Sequence, residues 1–363
     1  MFIKPEVENF ARIKVIGVGG GGSNAIKTMM EVHNIQGVDF IAINTDAQHL
    51  GMSPAPTKVQ IGRGLTQGLG AGGDPAVGQK SAQENKEELQ ELLKGSDLVF
   101  ITAGMGGGTG SGASPVIADV AKGVGALTIG VVTKPFDFEG AKRKLNADES
   151  TGNLKDRVDA LITIPNQRLL EIAEKNITLL DAFRMADSVL GDSVKGISDI
   201  IVMPGLINRD FADVRSIMHN AGSALMGIGK AAGDGRALAA AKLAIESPLL
   251  ESSISGAKGV LFNISGGDDL TLAEVNEAAN LIASSADPNA NIIFGATIDG
   301  SLGEAVKITV IATGFDENAL RFREFQGTDN LKKTKPESIS KEDSDLLTKE
   351  ESDNDLPAFM RRR

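Results

Sequence analysis

The chain has 363 residues and a net charge of −11, from 37 Lys+Arg against 48 Asp+Glu, with no Cys, Trp or Tyr. That length suits two domains of about 100–200 residues and a tail. The missing cysteines exclude disulfide scaffolds, thiolate zinc sites and cysteine nucleophiles, and three scattered histidines, His33, His49 and His219, argue against a histidine metal centre or triad.

An acidic chain whose only aromatic is Phe lacks the basic groove and stacking platforms that nucleic acid needs, so no nucleic-acid partner is expected. No apolar run reaches the roughly 20 residues of a membrane span, and the first residues lack a signal-peptide core. A soluble, cytoplasmic protein is expected.

In chain order, apolar runs at 13–18, 38–43, 98–103, 126–132 and 160–164 read as buried parallel strands, separated by helical patterns such as 76–93. A long amphipathic stretch covers 179–203. Strand-like runs resume at 225–228, 259–264, 292–298 and 306–312, with helices near 236–245 and 272–285. The pattern predicts an α/β fold: a doubly wound, Rossmann-like domain and a second α/β domain joined by one long helix. Domain bounds are read as 1–178, 179–203 for the central helix, and 204–316.

From 327 to the end, nine acidic and eight basic residues occur with few large apolar ones, a composition that cannot offset its ordering entropy. A disordered linker is expected over 317–352. The last residues, 353–363, differ: an acidic entry, Leu356, Phe359 and Met360, and three arginines suit a short peptide that orders on a partner.

Glycine supplies 43 positions, about 12% against a usual 7%. Seventeen of them fall in three segments, 17–22, 62–73 and 104–112. The first satisfies G-x-G-x-x-G between a strand and a helix that opens with Ser23 and Asn24. Its first reading is a dinucleotide site, with Asp39 or Asp46 on the ribose about 20 residues on; the alternative is a tight strand-to-helix turn.

The cluster at 104–112 also lies between a strand and a helix, and frees a row of N–H groups beside a helix N-terminus. Two such loops favour a nucleoside di- or triphosphate over NAD. No Walker P-loop pattern occurs. The middle cluster, 68–73, reads either as a third wall or as a mobile loop.

GMGGGTGSG at 104–112 resembles the tubulin signature. With GVGGGGSNA (17–25), INTDAQ (43–48), TKPFDFEG (133–140), PGLINRDFADV (204–214) and the DLPAFMRRR end, the chain resembles the FtsZ family, tubulin-like GTPases of bacterial cell division. The resemblance implies GTP/GDP as ligand and Mg²⁺ held mainly by phosphates and water. It assigns phosphate contacts to Gly20, Gly21, Gly22, Ser23 and Asn24, and to Gly106, Gly107, Gly108, Thr109 and Gly110.

Glu139 and Arg143 would reach ribose and phosphate; without the family they read as a surface i,i+4 ion pair. Asn166 would touch the nucleoside, or cap a helix. Phe183 and Asp187 share one helical face, where a ring stacks on a base and a carboxylate accepts guanine N1–H and N2–H, which adenine does not offer. As a core Phe and a solvated Asp, the same pair has a purely structural reading.

The glycine loops contain no base to activate water. Asn208, Asp210 and Asp213 read from residues alone as a helix cap. The resemblance makes them the NxDxxD loop that serves a neighbour's nucleotide. If the helix stays intact from Asp187 to Met203, 16 residues at about 1.5 Å each put Asp210 some 25 Å from the guanine contact; Gly191 and Gly196 are the positions able to break it. The resemblance thus implies a GTPase that polymerises head-to-tail into filaments forming the cytokinetic ring at mid-cell.

The sequence departs from the family at Arg209, where a small or branched apolar residue is expected, and at Ser111, where Thr is more usual. A segment of 26 residues, 327–352, spans about 28 Å if flexible, short for the family. The terminal peptide resembles the motif bound by FtsA-like membrane tethers, so membrane contact is expected only indirectly, three arginines being few for stable attachment to anionic lipid. Competing readings are an NAD-dependent dehydrogenase and a GTP-binding regulator that does not polymerise.

Overall fold

The computed structural model describes residues 11–173, 176–202, 210–250 and 253–315; Asn208, Arg209, the 317–352 linker and the 353–363 peptide lie outside them. The first part runs β1 (Ile13–Val18), α1 (Gly19–Glu31), β2 (Val38–Asn44), α2 (Ala47–Met52), β3 (Thr57–Gln60), α3 (Arg63–Thr66), α4 (Pro75–Glu84), α5 (Lys86–Leu93), β4 (Leu98–Gly104), α6 (Thr109–Gly123), β5 (Leu127–Lys134), α7 (Ala141–Lys155), β6 (Ala160–Pro165) and α8 (Asn166–Ile172). There follow α9 (Leu179–Val202), α10 (Phe211–Met218), β7 (Gly222–Ala232), α11 (Arg236–Ile245), β8 (Gly259–Gly266), α12 (Leu272–Ser285), β9 (Asn291–Ile298) and β10 (Ala305–Thr313).

All ten strands form one sheet, ordered β3-β2-β1-β4-β5-β6-β7-β10-β8-β9. The first six are parallel in the doubly wound order, whose crevice opens where β1 and β4 meet. Helices cover both faces, so the strands are apolar on both sides. Ile13 and Val15 pack toward α1 and α9, while Ile16 and Val18 pack toward α6. β7 pairs parallel with β6 through Ala160, Leu161 and Ile162. β10 then runs antiparallel to both β7 and β8, so the two predicted α/β parts share a continuous mixed sheet.

Two expectations shift. The helix expected over 76–93 is two, because Asn85 leaves helical geometry and its Oδ1 accepts the Gly62 N–H at 2.9 Å. The strand expected at 225–228 extends over Gly222–Ala232. Its Gly227 and Gly229 lie so close to α11 that a Cβ would stand 2.0 Å from Ala244 O and 1.9 Å from Ala240 O; this packing lengthens a strand whose composition is weak. The long helix stays intact through Gly191 and Gly196. The first lies against the His33 ring and the second against Thr309.

Candidate functional site

The glycine run of 19–22 is the first turn of α1, not a loop ahead of a helix beginning at Ser23. Val18 ends β1 in extended conformation and Gly19 takes φ +71°, a conformation costly for a residue with a Cβ. α6 likewise starts at Thr109, directly after the Gly104–Gly108 turn. The two N-termini touch backbone to backbone: a Cβ on Gly19 would stand 2.9 Å from Gly110 N, and one on Gly21 would stand 3.1 Å from Gly104 N. Two helices thus direct unpaired amides and positive dipole ends toward one space.

That space is a cavity of about 400 Å³. Gly20, Gly21, Gly107, Gly108, Thr109, Gly110 and Arg143 line it. So do Leu69 through Gly73, making the middle glycine cluster its third wall. That wall is tied to β2's end by the Ala47 N–H bonded to Gly68 O at 3.0 Å and by a bridge between Asp46 and Leu69. Thr45 and Thr109 join hydroxyls at 2.7 Å, fixing the α6 start against the same corner.

Other predicted phosphate residues stand back from the cavity. Gly22 and Ser23 are buried behind the first turn, and Asn24 is exposed on α1. Ser23 Oγ is buried and has no hydrogen-bond partner among the described residues. Gly106 donates its N–H to Ser111 Oγ at 2.8 Å, so this amide is used within the loop; Ser111 holds the turn as a threonine hydroxyl would.

On the β5–β6 side, Arg143 Nη1 pairs with Glu139 Oε2 at 2.6 Å, while Glu139 Oε1 accepts the Phe136 N–H at 2.9 Å. The pair is the i,i+4 ion pair of the structural reading, and it also holds Arg143 at the cavity edge. Asn166 begins α8 and is buried, its Oδ1 without a hydrogen-bond partner among the described residues; it does not cap through that atom. Phe183, partly exposed, meets Phe136 edge-on at 5.4 Å and Phe138 at 6.4 Å. Burial pushes the Asp187 carboxyl up to about 7. An exposed ring and a buried carboxyl one helical turn apart on α9 suit a purine that brings its own N–H donors, to which the carboxyl, once ionised, offers two acceptor oxygens.

Asp210 N-caps α10, its Oδ1 accepting the Asp213 N–H at 2.9 Å. Neither residue is among those lining the cavity. α9 carries the chain about 22 Å from Asp187 to Val202. Beyond α10, His219 binds Asp159, which precedes β6, whereas Asn166 follows it.

Residue reasoning did not assign Asn44 or His49 to the cavity, nor Phe138 to the aromatic cluster. The motifs INTDAQ and TKPFDFEG held the signal for two of these positions, Asn44 and Phe138. Asp46, weighed only as a ribose acid, does line the cavity. Asp39, its rival, is exposed at the opposite end of β2, so the dinucleotide reading loses that residue.

Paired helix N-termini without a Walker loop, on a doubly wound sheet continued by a mixed sheet, define a tubulin-type nucleotide-binding protein. Residues 12–174 match the Tubulin/FtsZ family, GTPase domain, and residues 222–316 match the FtsZ family, C-terminal domain. A solved FtsZ dimer from M. jannaschii, described as empty, is 47% identical with TM-score 0.81, covering 84% of this chain and 88% of that one. A mutant FtsZ from the same organism is 46% identical with TM-score 0.82, covering 85% and 92%. CetZ1 of Haloferax volcanii, a GDP-bound monomer, shares the fold at 20% identity and TM-score 0.74, covering 88% and 99%. The chain belongs to the Tubulin/FtsZ family, within its FtsZ branch; it binds GTP and GDP and hydrolyses GTP.

Proposed function

We propose that this protein is a self-assembling GTPase that stacks head-to-tail into filaments and acts in cytokinesis, in the cytoplasm at the division site. The observation carrying this reading is a division of labour within the chain. The glycine cavity offers amides, Arg143, His49 and the Asp46 carboxylate, whose Oδ1 already caps α2, and water activation is assigned to none of them. Asp210 and Asp213 lie on α10, on a path that leads away from the chain's own cavity. In a stack, the α10 start of one subunit caps the cavity of the next, where Asp210 and Asp213 orient the attacking water. Magnesium fits there through the phosphates and water, with the neighbour's carboxylates reached through water. Asn208 belongs to the same loop by sequence.

The nucleotide side uses Gly20, Gly21 and Gly107 to Gly110 for the phosphates, Glu139 and Arg143 for ribose and phosphate, and Asn166, Phe183 and Asp187 for the nucleoside. Relatives support assembly: the M. jannaschii protein was solved as a dimer, and CetZ2 of Haloferax volcanii, 21% identical, as a GTPγS-bound protofilament. Division at 178, 203 and 316 remains the working domain scheme, with 353–363 as the peptide for an FtsA-like membrane adaptor.

Turnover per molecule measured against protein concentration tests the reading. It should rise cooperatively, with light scattering increasing in GTP and not in GDP. Turnover independent of concentration down to nanomolar protein would overturn it and leave a GTP-binding regulator that does not polymerise.

A further inference from the structure

His49 faces the glycine cavity, and none of the roles assigned above uses it. It sits in the first turn of α2, its N–H donating to Asp46 Oδ1 at 3.0 Å. That cap fixes the turn and sets the ring beside the start of α1, with Nε2 3.9 Å from where a Gly20 Cβ would stand. Nδ1 is buried and has no hydrogen-bond partner among the described residues. With Nδ1 enclosed by protein, Nε2, on the side of the α1 start, is the nitrogen that a ligand in the cavity meets.

The charge in the cavity points the same way. Its ionisable lining residues are Asp46, His49 and Arg143. Arg143, reaching in from α7, already shares its charge with Glu139, and Asp46 repels an anion. Among the ionisable residues described in the lining, His49 is the other one able to donate a hydrogen bond to a polyphosphate.

The sheet order then says which phosphate it meets. β6, which carries Asn166 at its end, and β2, which carries Asp46 and His49 beyond its end, lie at opposite ends of the row β2-β1-β4-β5-β6. A nucleotide with its base near Phe183 and Asp187 runs its phosphates past the α6 and α1 starts toward β2. Its last phosphate arrives at α2.

We propose that His49 binds the terminal phosphate of the nucleoside triphosphate and is a specificity-determining residue for triphosphate over diphosphate. This rests on the nucleotide placement proposed above. The imidazole donates to a γ-phosphate oxygen, and a diphosphate leaves it unused. Arg143, nearer the ribose, serves both nucleotides.

The test compares the full chain with His49→Leu and His49→Gln, measuring GTP and GDP affinity by calorimetry. Leu should weaken GTP roughly tenfold and GDP less than about twofold; Gln, with an amide donor, should recover most of the GTP loss. Asp187 acts on both nucleotides and cancels in the GTP:GDP affinity ratio. An unchanged GTP:GDP ratio in both variants overturns the proposal, as does an equal loss of GTP and GDP, which would mark His49 as a packing residue. If the wild type binds neither nucleotide, the placement of the site itself fails instead.

Discussion

His219 Nδ1 stands 3.0 Å from Asp159 Oδ1, joining the end of α10 to the sheet edge opposite the phosphate cavity. Asp159 is buried and also accepts the Thr128 N–H at 2.9 Å. Removing its carboxylate strands that amide and frees α10. Asp159→Ala should cost about 2–4 kcal/mol in urea unfolding, and His219→Ala, half exposed, less than about 1 kcal/mol. At temperatures where Asp159→Ala remains folded, GTP turnover should fall more than GTP binding. Equal losses in both would show that the clamp does not set α10 for its neighbour.

Asp210 both caps α10 and, in the proposed stack, serves the neighbour's phosphate. Asn caps as well as Asp, so Asp210→Asn separates the two roles. It should keep the melting temperature and GTP binding while lowering phosphate release at least about 100-fold. Turnover near that of the wild type in Asp210→Asn would reduce Asp210 to a cap. A mixture of Asp210→Asn with a variant blocked in nucleotide binding should recover part of the turnover, since each supplies the half the other lacks.

The Asp187 carboxyl titrates near 7 because it is buried. The folded, nucleotide-free protein therefore holds a proton that the unfolded chain releases near its ordinary value of 3.8. Stability contributed by this group is present below that value and declines as pH rises toward 7. Guanine favours the carboxylate, so GDP should bind more tightly as pH passes upward through 7, releasing a proton. Calorimetry in buffers of different ionisation enthalpy measures that release. Asp187→Asn should abolish it and reduce the preference for guanine over adenine nucleotides.

Two glycines separate packing from ligand contact. A Cβ at Gly112 would stand 1.9 Å from Pro75 O, which cannot move without displacing α4. At Gly20 the nearest atom is 3.9 Å away, and the new methyl would enter the phosphate cavity. Gly112→Ala should destabilise by about 2 kcal/mol or more. Gly20→Ala should leave the unfolding midpoint within about 0.5 kcal/mol of the wild type and weaken both nucleotides. Tight GTP binding in Gly20→Ala would remove the α1 start from the site.

Much of the site could be read before the chain was folded. Strand-like runs ending at Val18 and Gly104 each meet a glycine cluster and then a helix, and hydrophobic periodicity with glycine's freedom is local information. Position 166 after a strand, and Phe183 one turn before Asp187, were legible for the same reason. Sequence could not say that 19–22 is itself helix, because glycine's low propensity is overridden by the close contact of α1 with α6. Nor could it place His49, whose role depends on where α2 lies against Gly20.

By itself, then, the sequence determined the parallel strands, the long helix and two glycine walls, since these depend on residue type and spacing along the chain. Only the tertiary structure decided that the 68–73 cluster closes the cavity and that Gly106 spends its amide on Ser111. It also decided that α10 is fastened at the far end of β6. Those outcomes depend on contacts between segments distant in sequence, and no periodicity encodes which distant segment a glycine or a carboxylate will meet.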